Sequence, residues 1–386
     1  MHRPLLLLSC LAWLPSPAVA QRPVAFQAID AAIEDGIRRH IYPAAVVMVG
    51  RRDSILYRKG YGHFTWSNRT TRPDPASTLW DIASLSKVVA TASTVAKLVE
   101  RGTLDLEAPV ERYLPEFAGV SKDQVTVRML LDHTSGLPPY EALYRGRPTI
   151  SAAREKLLTV PLTRMPGASA LYSDLNAMLA AMVVERVAGE SFDSVSRQEV
   201  FEPLGMRTTL WSPPAADQTR AVPTAKFKGR AISGVVNDEN ARILGGVAGH
   251  AGVFSTGADL ARFAQSWLRA LVNVDAPAPW LNSATALRFT ERSLESGTRA
   301  LGWDTPILTP GDGKPPLYGR CATPTTFGHT GWTGTLIWID PAADLFVVLL
   351  TNRSYDPRSA TRSFEQIREV RAKVSDAARR AVGKSC

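Results

Sequence analysis

Ser84 and Lys87 form the only S-x-x-K in the chain. Residues three apart on a helix share a face, so this hydroxyl and this amine can meet, whereas Ser86 points elsewhere. Lys87 is also the only charged residue between Asp81 and Lys97. Around it Val88, Val89, Ala92, Val95, Leu98 and Val99 make a helix apolar on most sides, the pattern of a buried helix. Burial disfavours an ammonium, so the expectation is a neutral Lys87 amine that takes the serine proton and frees the oxygen to attack a carbonyl carbon. A surface Ser/Lys pair is the alternative. Other hydrolytic designs lack their residues: there is no G-x-S-x-G nucleophile elbow, no HExxH, and no CxxC or Cys/His ligand spacing. The expectation is catalysis with no metal and no organic cofactor.

The elements around this pair run helix, strands, helices, strands, helix. Phe26, Ile29, Ile33 and Ile37 recur at helical spacing, and Pro43 closes that helix. Ala44 to Val49 and Ser54 to Tyr57, separated by Gly50 to Asp53, read as a hairpin. The middle reads as helices over Val127 to Leu131, Ala152 to Leu158, Asp174 to Val187, Phe192 to Val200 and Ala258 to Leu271, with Thr256 and Asp259 forming a capping-box-like start for the last. Proline-rich loops fall at Pro213 to Pro223 and Pro306 to Pro316. Thr335 to Ile339 and Leu345 to Leu350 form a second hairpin, and Phe364 to Val382 a closing helix. Both chain ends therefore supply one mostly antiparallel α+β sheet lobe, about residues 21–80 and 325–386, while about 81–324 form a mainly helical lobe. A cleft between them is expected.

Residues 1–20 carry Arg3, a leucine-rich run interrupted by Pro15 and Pro17, and Ala18 to Ala20 before Gln21. This order predicts a signal peptide cut after Ala20 and a periplasmic or secreted protein, the rest of the chain (21–386) forming one catalytic domain. The apolar run is shorter than the roughly 18 residues a membrane span needs, so no transmembrane span is expected once the signal is removed. Cys321 and Cys386 are the cysteines left after cleavage; in an oxidising compartment they either pair or remain as two thiols. The formal charge of +9 comes without a basic block or a nucleic-acid motif, and the excess lies in residues 21–75 and 353–386. It reads as a surface property of the sheet lobe, and no nucleic-acid partner is expected.

Four segments in order carry a resemblance: DIASLSK around Ser84, LLDHTSGL over Leu130 to Leu137, YSD over Tyr172 to Asp174, and HTGWTG over His329 to Gly334 before an apolar strand. Together they resemble the serine β-lactamase and penicillin-binding protein superfamily, especially the class C-like branch with family VIII carboxylesterases and D-amino-acid peptidases, over about residues 25–382. The resemblance implies the β-lactamase-like fold, Ser84 as acylated nucleophile, Lys87 as its activator, and Tyr172 as the proton shuttle. Phenols ionise near about pH 10, so a tyrosine works as base at neutral pH only beside positive charge. The resemblance further implies an oxyanion hole from the backbone N–H groups of Ser84 and Trp332, with Asp174, His329, Thr330 and Gly331 against substrate.

Two positions depart from the pattern. His329 stands where many relatives have lysine, and Asp174 where the second motif commonly ends in asparagine. A mostly neutral imidazole and an acceptor-only carboxylate fit anionic β-lactams and peptide C-termini poorly, and esters or cationic amines better. Asn237 to Gly252 also resembles a block of such exported hydrolases: His250 either borders the cleft or belongs to a glycine-rich connection, while His133 is expected to anchor the HTSG turn. The leading expectation is a serine hydrolase of ester or amide bonds. The rivals are a penicillin-binding D-amino-acid peptidase or carboxypeptidase acting on peptidoglycan, and a non-hydrolytic β-lactam sensor. The expected partners are a small-molecule ester, a lactam or a D-amino peptide.

Overall fold

The computed structural model describes residues 24–272, 279–292, 297–306, 316–355, 360–384 and 386. The expected signal peptide and most of the Pro306 to Pro316 loop lie outside the described residues. Among the described residues the sheet has five antiparallel strands: β1 (Ala44–Arg51), β2 (Ser54–Gly62), β3 (Phe327–Thr330), β4 (Leu336–Asp340) and β5 (Leu345–Thr351), in the order β2-β1-β5-β4-β3. The chain ends meet at its centre, where β1 pairs with β5 from Ala45 opposite Thr351 to Gly50 opposite Phe346.

Strand alternation explains why this sheet is covered on both faces. On β5, Leu345, Val347 and Leu349 enter one core, with α1 (Gln27–Arg38) and the long C-terminal helix α5 (Ala360–Ala381) packed over them. Phe346, Val348 and Leu350 enter the other, facing Leu260, Phe263, Ala264 and Trp267 of α4 (Gly257–Val272). Each such buried side chain contributes roughly 1.5–3 kcal/mol. Within the segment read as a helical lobe, α4 therefore covers the sheet. Its start is capped by Thr256, whose Oγ1 accepts from the Asp259 N–H at 3.2 Å.

The mixed α+β architecture with an antiparallel sheet thus matches the sequence reading. The helices expected in the middle form at Val127–Leu131, Ile150–Thr159, Asp174–Ala188 (α3) and Phe192–Ser196. The segment also holds three short antiparallel strands, Trp80–Asp81, Val253–Ser255 and Leu210–Trp211, and a small hairpin at Ala225–Phe227 and Arg230–Ile232. The short Val253–Ser255 strand pairs with Trp80–Asp81 immediately before the Ser84 turn.

The helix expected from Ser84 to Glu100 is not uniform. A 3₁₀ turn at Ala83–Leu85 leads into a wide π-helical turn at Lys87–Ala92, and regular α-helix (α2, Ser93–Glu100) follows. Such turns are often found at functional sites. Cys321 and Cys386 are joined by a disulfide with a sequence separation of 65, resolving the open alternative in favour of the pair.

Candidate active site

Ser84 enters the cleft from a strained turn. Ala83 adopts φ 49, a left-handed conformation rare for alanine, and its N–H donates to Asp81 Oδ1 at 2.9 Å. The other Asp81 oxygen accepts from the Asn237 N–H at 2.7 Å. Burial pushes the Asp81 carboxyl up to about 6, against those two backbone donors. From the opposite side, Thr333 and Thr335 donate their hydroxyls to the carbonyls of Asp81 (2.8 Å) and Ile82 (3.0 Å). The HTGWTG turn is thereby fastened directly to the residues preceding Ser84.

Lys87 Nζ donates to Ser84 Oγ at 3.1 Å and to the His250 carbonyl at 3.1 Å, and lies 2.7 Å from Asp174 Oδ1. Two of the ammonium's donors are thus placed on oxygen acceptors, and the Asp174 carboxylate stands beside it as the counter-charge. Burial alone pushes the lysine down, as expected from the sequence, but the Asp174 charge and then Tyr172 outweigh it and hold Lys87 above its ordinary value. The expectation of a neutral amine is therefore corrected. Desolvation was legible in the apolar helix, whereas the ion-pair partner comes from the start of α3.

Tyr172 is carried by His133. The Ser135 hydroxyl donates to Asn176 Oδ1 at 2.6 Å, which turns the Asn176 amide so that Nδ2 faces His133 Nδ1 at 3.1 Å; the Ser173 N–H donates to the same nitrogen at 3.2 Å. His133 Nδ1 is thus an acceptor and the proton is on Nε2. Burial, with the charges of Arg299 and Lys87, keeps this ring well below its usual pKa. It packs on Tyr172 with ring centroids 4.7 Å apart, so the turn-anchoring role holds and extends to the phenol. Lys87 Nζ lies 5.0 Å from the Tyr172 ring centroid, and the Arg299 guanidinium 5.0 Å from it as well.

His250 does not present its ring to the cleft. The buried imidazole pairs through Nε2 with Asp238 Oδ1 at 2.8 Å and through Nδ1 with the Ala248 carbonyl at 3.1 Å. Two acceptors require a proton on each nitrogen. Burial opposes that charge, but Asp238 outweighs it and raises His250, while Asp238 itself is lowered by His250 despite its own desolvation. This imidazolium fixes the carbonyl that holds Lys87.

The third motif is gripped from behind. Arg371 of α5 donates to the carbonyls of Gly331 (2.7 Å) and Thr335 (2.9 Å), and Arg353 Nε donates to the Trp332 carbonyl at 3.0 Å. Both arginines are buried, which pulls Arg353 down to about 10 and Arg371 to about 9. With its carbonyl side held, this turn cannot swing away from Ser84. The half-exposed Trp332 indole stacks on Phe364 at 5.9 Å at the cleft rim.

Ser84, Tyr172, Asp174, His329, Thr330, Gly331 and Trp332 all line one cleft of about 910 Å³, with Lys87 buried beneath it. The sequence-predicted site residues therefore converge. Asp81, Asp238, Arg299, Asp304, Arg353 and Arg371 had gone unnoticed as parts of it. The arrangement presents a hydroxyl beside a lysine and a phenol in a pocket sized for a small molecule or short peptide.

The sequence model described as Beta-lactamase matches residues 29–372. The chain belongs to the Beta-lactamase family. Its members are serine hydrolases, related to penicillin-binding proteins. A relative from Escherichia coli K12 named "Putative D-alanyl-D-alanine carboxypeptidase" is 30% identical over 351 residues, covering 82% of this chain and 80% of that one. Among solved structures, a β-lactamase/D-alanine carboxypeptidase from Yersinia pestis superposes with a TM-score of 0.68 at 22% identity, covering 91% of this chain and 98% of its own. EstCE1, described as a hydrolase with promiscuous acyltransferase activity, gives a TM-score of 0.69 at 21% identity, covering 90% and 98%. These two likenesses establish the β-lactamase-like fold. Among the described residues, no helix is long and apolar enough to cross a membrane.

Proposed function

We propose that the protein is an exported serine hydrolase that cleaves ester or amide bonds through an acyl-enzyme on Ser84. The observation that carries this reading is the 3.1 Å hydrogen bond from buried Lys87 to Ser84 Oγ at the floor of the cleft. Ser84 Oγ attacks the carbonyl carbon, and its proton passes to the Tyr172 oxygen of the Lys87–Tyr172 pair, which accepts it as phenolate because the Lys87 ammonium beside it is already fully protonated. The carbonyl oxygen takes up negative charge facing the backbone N–H groups of Ser84 and Trp332. Collapse of that intermediate expels the leaving group, which receives the proton from the same pair. Water then attacks the acyl carbon, gives its proton to the pair, and restores the Ser84 hydroxyl. The disulfide and the leucine-rich first 20 residues support export to the periplasm or beyond.

A D-alanyl-D-alanine carboxypeptidase is the second reading, favoured by the name of the 30% identical relative. One experiment separates them. The intact protein is incubated with a p-nitrophenyl ester, a penicillin or a D-alanyl-D-alanine peptide and examined by mass spectrometry, beside Ser84→Ala. The expected result is an adduct on Ser84 that turns over with the ester. An adduct that persists in Ser84→Ala removes the nucleophile, and faster turnover of the D-alanyl peptide selects the second reading.

A further inference from the structure

His329 occupies the place in the third motif where many relatives carry a lysine, and the structure gives it the opposite hydrogen-bonding sense. Its Nδ1 lies 2.9 Å from the Thr330 carbonyl, which can only accept, so Nδ1 carries a proton. Burial, together with the nearby cations Lys87, Arg299 and Arg371, holds the ring well below its usual pKa and neutral, although the carboxylates of Asp174 and Asp304 line the same cleft. Nε2 is therefore a bare lone pair. It is buried, on a side chain that is 3% exposed and lines the cleft, and it has no hydrogen-bond partner among the described residues.

A second acceptor stands beside it. Asp304 pairs with Gly328, the residue before His329, by two backbone hydrogen bonds of 2.9 Å. Its carboxylate also lines the cleft, and its Oδ1 is buried without a hydrogen-bond partner among the described residues; Arg299 Nε lies 3.9 Å away. Adjacent backbone positions at one wall of the cleft thus each present an acceptor without a close hydrogen bond, the Asp304 carboxylate being balanced by its 3.9 Å ion pair with Arg299 and by the nearby Tyr318 hydroxyl. Leaving such groups unpaired costs roughly 1–3 kcal/mol each, and a bound donor removes that cost.

We infer that this wall selects substrates bearing a hydrogen-bond donor, an ammonium or a hydroxyl, on the acyl part near the scissile carbonyl, and discriminates against a carboxylate there. The inference rests on the proposed acyl-enzyme chemistry at Ser84 and names its substrate class. A carboxylate placed against β3 meets a lone pair and a second anion. A lysine in place of His329 would supply a cation and reverse the preference.

The test uses four p-nitroanilides that differ only in the α-substituent of a propionyl group: ammonium, hydroxyl, methyl and carboxylate. Ratios of kcat/KM between substrates are independent of the active fraction, so partial misfolding of a variant does not affect them. The expected order places ammonium and hydroxyl about 10-fold or more above methyl, and carboxylate below it. His329→Leu should bring hydroxyl down to methyl, His329→Lys should raise carboxylate above methyl, and Asp304→Asn should remove any advantage of ammonium over hydroxyl. A wild-type preference for carboxylate, abolished in Arg299→Gln, would overturn the inference in favour of an anion site at Arg299. Equal turnover of all four, or an order unmoved by either His329 variant, would also overturn it while the acyl-enzyme reading stands. No turnover and no Ser84 adduct with any of the four would remove both.

Discussion

Gly331 offers the sharpest test of how the third motif is placed. Its φ is not in the left-handed region, so the backbone there admits any residue and only space forbids a side chain. A Cβ at this position would stand 2.6 Å from the Ile82 carbonyl oxygen and 3.2 Å from the Ala83 Cβ, and would also collide with Thr335 Oγ1. Ordinary contact begins near ~3.4 Å, so the HTGWTG turn and the Ser84 turn must separate by about 0.8 Å in Gly331→Ala. Both sides resist, because Thr333 and Thr335 fasten them together and Arg371 holds the Gly331 carbonyl. The strain should lower stability by about 1–3 kcal/mol. The larger effect should be on acylation. Displacements of this order cost roughly 100-fold in rate, and loss of one oxyanion donor roughly 100- to 1,000-fold. Stopped-flow acylation by a p-nitrophenyl ester, with the burst amplitude counting active sites, separates rate from folded fraction; thermal melting reports stability. A Gly331→Ala protein that acylates within threefold of wild type would refute the claim that contact between these turns sets the geometry.

Two further outcomes follow from groups at and beyond the cleft. Asp81, raised by burial to about 6, holds its proton in the folded chain between about pH 4 and 6 while the unfolded chain has lost it, so stability should fall as pH rises through that window; relative to Asp81→Asn, urea unfolding should show wild type losing roughly 2 kcal/mol from pH 4 to 6, and a pH-independent difference would contradict it. Cys386→Ser should lower unfolding free energy by up to about 4 kcal/mol, because the disulfide closes a loop with a sequence separation of 65; a variant as stable as the oxidised wild type would show that the bridge is dispensable.

The S-x-x-K pair was readable because helical periodicity is local: three residues suffice to place a hydroxyl and an amine on one face. Tyr172 and His329 became legible through the resemblance of their segments, since nothing in local spacing brings the start of α3 and the third strand to Ser84. The protonation of Lys87 was misjudged for the same reason. Its apolar surroundings lie within the helix, but its counter-charge, Asp174, comes from 87 positions further along the chain. Arg371 did leave a trace: it falls in line with Ile367, Val374 and Ala378, a charge on the buried stripe of α5. Arg353, Asp81 and Asp304 leave none, because an isolated charge acquires its meaning only from what buries it.

The grip of Arg371 on the Gly331 carbonyl ties the site to the order in which the chain is made. Ser84, Lys87 and Tyr172 emerge early, but the turn that completes their cleft is held by a side chain of the last helix, and Cys386 must follow before that helix is latched to Cys321. A chain that stops short of residue 371 carries Ser84, Lys87, Tyr172 and His329 but lacks the guanidinium that holds the Gly331 and Thr335 carbonyls. Completion of the cleft thus depends on a residue that follows Ser84, Lys87 and Tyr172 by almost 200 positions or more.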